Sequence, residues 1–442
     1  MLRSMYSGIS GLRGFQTKLD VIGNNIANVN TYGFKKGRVT FKDMISQQVQ
    51  GASSPSENRG GTNPRQVGLG VQIASIDTIH TPGSTQSTSR PLDLAISGEG
   101  FFIVNDGALS YYTRAGNFYL DHHGNLVNSD GLYVQGYAAD HLGNIDYSRL
   151  SNLRIASGQV IPPNPTTQIT FKGNLHSGIT AATNPFEDGQ NYTDTQLKDG
   201  LRHGVMLPVS VIDSTGYTHT IQIVAQKISL TEWQLGYFLP DGSGGYTYRS
   251  LEAQNNDAVI TFGNDGTVQN KDVVNAVTLQ VSPSQLTPGY QGNAAVLNIT
   301  LDFSNLTQYG SSSSLSVDTI NGNAEGFLEG FDVSPTGEIF GIYSNGTVRT
   351  LGQIALAHFN NPEGLTKAGD NLYQVSNNSG VPNIGIPGED TGTIIGGALE
   401  MSNVDLAEEF TEMIVAQRGF QANTRIITTS DEILQELVNL KR

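Results

Sequence analysis

Ser402-Asn403-Val404-Asp405-Leu406-Ala407-Glu408-Glu409-Phe410 opens the stretch that decides the fold, and Met413-Ile414-Val415-Ala416-Gln417-Arg418-Gly419-Phe420-Gln421-Ala422-Asn423 continues it. Ser402 to Asp405 offers a cap followed by an acidic first turn, which suits a helix N-terminus. Leu406, Met413, Phe420, Ile427 and Leu434 recur every seven residues. Such spacing puts a stripe on one helix face. Phe410 and Val438 share the flanking line, on which Gln417, Thr424 and Asp431 are polar, and Ile426, Ile433 and Leu440 widen the apolar face. A continuous helix over 404–440 would run about 55 Å at 1.5 Å per residue. It would close on Lys441-Arg442, cations that suit the negative end of its dipole.

The opposite end of the chain carries a weaker counterpart. Leu2, Met5, Ile9, Leu12, Leu19 and Ile26 fall on an alternating three-four grid, with Phe15 and Ile22 one position off it. Gly8, Gly11, Gly14 and Gly23 interrupt this helix, each at a cost of about 1 kcal/mol relative to Ala. It is expected to order only against neighbours. Both stripes could pack within one chain, on a β domain or on each other. The width of the C-terminal face and the glycine content of the N-terminal helix favour instead a helix–helix layer between copies.

Between the helices the texture changes twice. Asn28 to Gly70 is polar and reads as an extended connector, with Gln50 to Gln66 as a loop. From Val71 to Gly397 strand-like runs alternate with turn signals, as in sandwiches and barrels. Gly100-Phe101-Phe102-Ile103-Val104 is one such run. Val209-Ser210-Val211-Ile212 and His219-Thr220-Ile221-Gln222-Ile223, joined through Ser214-Thr215-Gly216, read as a hairpin. Pro-rich Ile161 to Pro165 and the serine run Ser311 to Ser314 mark boundaries near 150 and 325. The expected fold is mainly β with long terminal α-helices, in nested discontinuous domains. Residues 1–30 with 404–442 form an inner helical domain, in which the two helices pair in a coiled-coil-like layer. Residues 31–70 with 398–403 form the connector, 71–150 with 326–397 one β-rich outer domain, and 151–325 an inserted second.

Composition narrows the function. The 442 residues include 25 Lys and Arg against 40 Asp and Glu, a net charge of −15. This argues against nucleic acid and anionic membranes, which need a basic face. Gly is abundant at 52, and charged residues are only 15%. That composition suits a turn-rich extracellular β protein better than a metabolic enzyme. The absence of cysteine excludes disulfides, thiolate metal sites and cysteine nucleophiles. No apolar run is long enough to span a bilayer. The first residues lack the apolar core of a signal peptide, so export without a cleaved signal is expected.

No phosphate-binding loop, zinc-protease motif or nucleophile elbow is present. His122-His123, in Asp121-His122-His123-Gly124-Asn125, reads as a solvated turn whose adjacent side chains diverge. Asp241-Gly242-Ser243-Gly244-Gly245 reads as another turn rather than a calcium repeat. No catalytic residue, metal site or cofactor is expected.

Three segments resemble the bacterial flagellar rod and hook protein family. They are Asp20-Val21-Ile22-Gly23-Asn24-Asn25-Ile26-Ala27-Asn28 with Thr31-Tyr32-Gly33-Phe34-Lys35, Leu92 to Phe102, and Gly397 to Leu406 continued by Met413 to Asn423. Asn24, Asn25, Asn28, Gly33, Phe34, Asn403, Asp405, Gln417 and Arg418 carry the motifs. The hook branch matches best, and a distal rod or other axial protein is the alternative. A secreted enzyme or binding module with helical appendages is a remote one. The resemblance implies a structural subunit of a curved tubular homopolymer outside the cell, a universal joint linking rod to filament and transmitting motor torque. The implied partners are further copies of the chain, the distal rod protein below, the hook–filament junction protein above, the hook cap during assembly and the flagellar export apparatus, with no membrane insertion. The implied assembly residues are the two stripes: Leu2, Met5, Ile9, Leu12, Phe15, Leu19, Ile22 and Ile26 with Leu406, Phe410, Met413, Phe420, Ile427, Leu434 and Val438.

Overall fold

A computed structural model describes residues 2–52, 54, 59–140, 142–155, 158, 160–242, 244–253, 256–389 and 391–439. The Leu2 side chain, Ser243 of the expected turn, and the terminal Leu440-Lys441-Arg442 lie outside the described residues. The chain forms two units. The first holds Met1–Ser157, Gly330–Gly341 and Val348–Arg442, and the second Gly158–Glu329 and Ile342–Thr347.

The first unit begins and ends in helix, Leu2–Ala27 and Leu406–Asn439. Among the described residues no helix is long and apolar enough to cross a membrane. Beyond the first helix, Gly37–Asp43 pairs antiparallel with Val71–Thr78. Gln47–Gln50 pairs with Arg65–Val67, so the ends of the expected 50–66 loop are strand. Residues 53 and 55–58 of that loop are not described.

The β body of this unit is closed by strands distant in sequence. Phe101–Asn105 lies between Ser110–Thr113 and Tyr133–Ala138, and also pairs with Leu356–His358. Val348–Ile354 adds to Tyr133–Ala138, and Leu372–Gln374 adds to Ser110–Thr113. The continuous apolar run at Phe101 reflects burial on both faces. Phe101 and Ile103 join Tyr112, Ala357, Phe359 and Tyr373 in one core, while Phe102 meets Phe118 edge to face at 5.0 Å.

A buried charge cluster ties the connector to this body. Gly33 has φ of +71°, and a Cβ there would lie 2.5 Å from the Ala115 amide nitrogen, so a side chain is excluded. Its amide donates to the Glu400 carbonyl at 2.8 Å. Lys35 Nζ reaches the Glu400 carboxylate, both side chains being fully buried, and also donates to the Thr81 carbonyl at 2.8 Å. Arg114 donates to the other Glu400 oxygen at 3.3 Å and to the Gly98 carbonyl at 2.9 Å. The Gly83 amide donates to Glu400 Oε1 at 2.9 Å. Burial lowers the Lys35 pKa even though Glu400 holds it up. Beside the cluster His80 sits edge-on to Phe101 and Tyr373, with centroids 5.5 and 5.3 Å away. Burial, then the charges of Lys35, Arg114 and Lys367, lower its pKa to about 4.

The second unit is two sheets around one core. Gln168–Asn174 runs parallel to Leu297–Thr307, which Val277–Val281 joins antiparallel. The expected hairpin forms as Gly204–Ile212 against Thr218–Lys227, extended by Glu232–Pro240 and Tyr246–Ser250. Alternation decides which side chains meet. Leu297, Ile299, Leu301 and Phe303 face Ile221, Ile223, Trp233 and Leu235 across the core. Phe171 and Phe303 stack at 4.5 Å. Val224 and Phe238 point the other way, into a smaller cluster with Phe186, Leu197 and Tyr248.

Two outcomes follow from this packing. Phe303→Ala should cost the second unit about 3–5 kcal/mol, the usual loss for a buried ring. Denaturant unfolding followed by Trp233 fluorescence reports that unit selectively, because the chain has a single Trp and it is buried in this core. The His80 pKa is depressed on folding, so its contribution is fully present above about 6.5 and is lost as pH falls through about 4. Between pH 7 and pH 4 the wild type should lose roughly 3 kcal/mol more than His80→Phe, in denaturant unfolding of the first unit, to which His80 belongs, followed by amide hydrogen exchange of Phe101–Asn105.

Candidate assembly surface

The two terminal helices pack against each other antiparallel. Gly8 faces Ile427 and Gly11 faces Asn423, while near the other end Lys18 pairs with Glu412 and Asn25 with Glu409. A Cβ on Gly11 would lie 2.9 Å from the Asn423 amide oxygen, so the missing side chain sets the helix spacing. Gly14 instead accommodates the Phe41 ring of the connector, and Gly23 has no neighbour within 4 Å of its Cβ position.

The line flanking the heptad stripe in this seam differs from the expected one. It is Glu409, Ala416, Asn423 and Ser430, all at least half-buried. The line of Phe410, Gln417, Thr424, Asp431 and Val438 is turned outward and exposed. Small and hydrogen-bonding residues let the backbones approach over glycine, and the bulkier line does not. Met413, Ile427 and Leu434 are half-buried, whereas Leu406, Phe410, Phe420 and Val438 remain exposed. On the first helix Ile22 is buried, and Met5, Ile9, Leu12, Phe15, Leu19 and Ile26 are half-buried.

The motif residues sit mainly at the joint between the helix pair and the connector. Asn25 Nδ2 donates to the Gly37 carbonyl at 2.9 Å and to Glu409 Oε2 at 3.2 Å, and Asn25 Oδ1 accepts from the Gly37 amide at 2.9 Å. Burial raises the Glu409 pKa, eased by this bond and by Lys36. Lys36 itself pairs with Glu408 at 2.7 Å. Asn28 Nδ2 donates to the Asn24 carbonyl at 2.9 Å, closing the first helix. Phe34 is buried, with the Lys367 ammonium 5.4 Å from its ring centroid. Asn403 accepts from the Lys36 amide and donates to the Ile79 carbonyl, both at 2.8 Å. Asp405 caps the second helix, accepting from the Ala407 amide at 2.8 Å. Gln417 and Arg418 are exposed and away from this joint.

The partners Glu409 and Glu400 were not legible as site residues. A carboxylate near a helix start reads as solvated, and only its register opposite Asn25 gives it away. His122 and His123 do not diverge: their Nδ1 atoms lie 3.1 Å apart on an exposed turn. Among the described residues no group of three metal-binding side chains gathers.

The second helix keeps two apolar strips outside its seam. Val415, Ile426 and Ile433 are 56%, 44% and 42% exposed and stand roughly 100° around the helix from the seam, at about 100° per residue. Leu406, Phe410 and Ile414 form the other, on the opposite flank.

Four family models match the chain. They are the flagella basal body rod protein model over residues 5–35, the flagellar hook protein FlgE/F/G D1 domain over 95–175, the flagellar basal body protein FlaE D2 domain over 202–323, and the flagellar basal body rod FlgEFG protein C-terminal model over 395–440. The flagellar hook protein FlgE of Borreliella burgdorferi is 42% identical over 462 aligned residues, covering 100% of each chain. The flagellar basal-body rod protein FlgG of Bacillus subtilis is 36% identical, again over 100% of each. The crystal structure of Helicobacter pylori flagellar hook protein FlgE2 aligns with a TM-score of 0.51 over 72% of this chain and 100% of that one. At 14% identity that likeness is one of fold. With matches at both helices and in both β regions, the chain belongs to the bacterial flagellar hook protein family.

Proposed function

We propose that this chain is the repeating subunit of a flagellar hook, a structural polymer and not an enzyme. The helix pair of residues 1–30 and 404–442 forms the inner layer of a tube. Residues 31–70 with 398–403 connect it to two outer domains, 71–150 with 326–397 and 151–325. Distal rod protein lies below and junction protein above, with the cap present during growth. Export proceeds through the flagellar apparatus without a cleaved signal peptide.

The observation that carries this reading is the pair of apolar strips on either flank of the C-terminal helix. One strip faces each neighbour, so every subunit offers two different surfaces. Head-to-tail contacts of this kind generate open helical assemblies rather than closed dimers. The Val415 strip extends roughly 27 Å along the helix at 1.5 Å per residue. Its side chains are only about half exposed, so each is worth roughly 1 kcal/mol on burial. Single contacts are weak, and many neighbours together hold the tube. The low charge of the whole chain, with charged residues at 15%, suits outer contacts that exchange as the tube bends.

Val415→Asp combined with Ile426→Asp should abolish polymerisation while leaving the monomer folded, since both positions are exposed in the single chain. Sedimentation velocity and electron microscopy read the polymer, and circular dichroism reads the fold. Tubes of normal yield from this variant would remove the strip from the interface. A rod role is the second reading, favoured by the identity to a rod protein. Straight tubes from the wild-type chain would support it over the hook.

A further inference from the structure

Within the second unit, Asp213, His219 and Thr287 form a hydrogen-bonded relay that ends at the surface. Asp213 and His219 are 0% and 1% exposed and meet at 3.0 Å, Oδ2 to Nε2. His219 Nδ1 lies 2.8 Å from Thr287 Oγ1, and Thr287 itself is exposed. The hairpin turn builds one end of the relay. Asp213 Oδ1 accepts from the Thr215 amide and hydroxyl, both at 2.8 Å, and from the Tyr217 amide at 3.0 Å. Tyr290 donates its hydroxyl to Oδ2 at 2.7 Å, and its ring stands edge-on to the imidazole at 5.0 Å. The other end is pinned by the turn of helix Pro283–Leu286, whose Leu286 is anchored in the core.

These contacts decide the proton positions. Burial would push the Asp213 carboxyl pKa up, but the bonds from His219, Tyr290 and Thr215 outweigh it and leave it well below the ordinary value. An ionised carboxylate only accepts. In the neutral ring the proton of His219 therefore sits on Nε2, facing Asp213, and Nδ1 presents a lone pair to the Thr287 hydroxyl. A hydroxyl against a base that a buried carboxylate orients is the arrangement that activates an oxygen nucleophile. The groove in front is lined by Tyr217, Thr218, Pro288, Gly289 and Tyr290.

We propose that Thr287 is a self-activated modification site, which takes a small acyl group from an activated ester. Oγ1 bonds the carbonyl carbon as its proton passes to His219 Nδ1. The bond from that carbon to the leaving oxygen breaks, and His219 returns the proton to the departing alkoxide or phenoxide. The products are O-acylthreonine and a free alcohol or phenol. The acyl-threonine is not hydrolysed, so the modification is stoichiometric.

The test treats the full chain with p-nitrophenyl acetate and maps acetylation by peptide mass spectrometry. General-base assistance is typically worth at least about 10²-fold, so Thr287 should acetylate on the order of 10²-fold faster than the exposed Thr218 and Thr220 of the same unit. Thr287→Ser should retain the reaction, and Thr287→Val should lose it. His219→Gln keeps a hydrogen-bonding side chain without a base, and should fall to the rate of Thr218. Equal rates at Thr287 and Thr218 in the wild type would overturn the proposal and leave the relay as a lock between two loops. Because that comparison is made within one wild-type molecule, it decides the matter even where His219→Gln does not fold. An undiminished rate in a folded His219→Gln chain would also overturn it.

Discussion

The Glu400 carboxylate is the constraint around which the first unit is arranged. It accepts from Lys35, Arg114 and the Gly83 amide, while its own carbonyl accepts from Gly33. Three remote stretches of chain, at residues 33–35, 83 and 114, are thereby brought to one residue. Burying such charges is expensive, and mutual attraction offsets the cost only when the remaining donors and acceptors are satisfied. The cluster is therefore more persuasive as a device that specifies one arrangement than as a source of stability. It fixes where the connector leaves the β body, and so where the helix pair begins.

The helix pair shows the opposite economy. Its seam is built from absences, with Gly8 and Gly11 facing Ile427 and Asn423. Bulk is withheld from the seam, so the larger apolar side chains of the second helix are left for other surfaces. A strong internal coiled coil would have used them up. A monomer with a thin internal seam and two spare strips is suited to gain its order from neighbours.

Much of this was legible in the sequence. The helices followed from the spacing of Leu406, Met413, Phe420, Ile427 and Leu434, and the hairpin from the turn at Ser214-Thr215-Gly216. Phase within the second helix was harder. Seven-residue spacing identifies a stripe but does not say which adjacent line completes the seam, and apolar content pointed to Phe410 when packing uses Glu409 and Ala416. The partner's shape decides this, and glycine leaves no periodic signal. The charge cluster was hidden for a related reason. Lys35 and Glu400 are 365 residues apart, and charged residues read as solvated unless the partner is known.

That separation has a kinetic side. Lys18 and its partner Glu412 are 394 residues apart, and strands such as Phe101–Asn105 wait for Leu356–His358. Contacts of such long range form slowly, because loop closure must precede any gain. The second unit, contained almost wholly in Gly158–Glu329, closes over shorter separations. A chain emerging from its N-terminus can complete that unit before the helix pair, which stays open until the C-terminal helix appears. The nesting acts as a timer: the helix that carries the proposed assembly strips is the last to be completed.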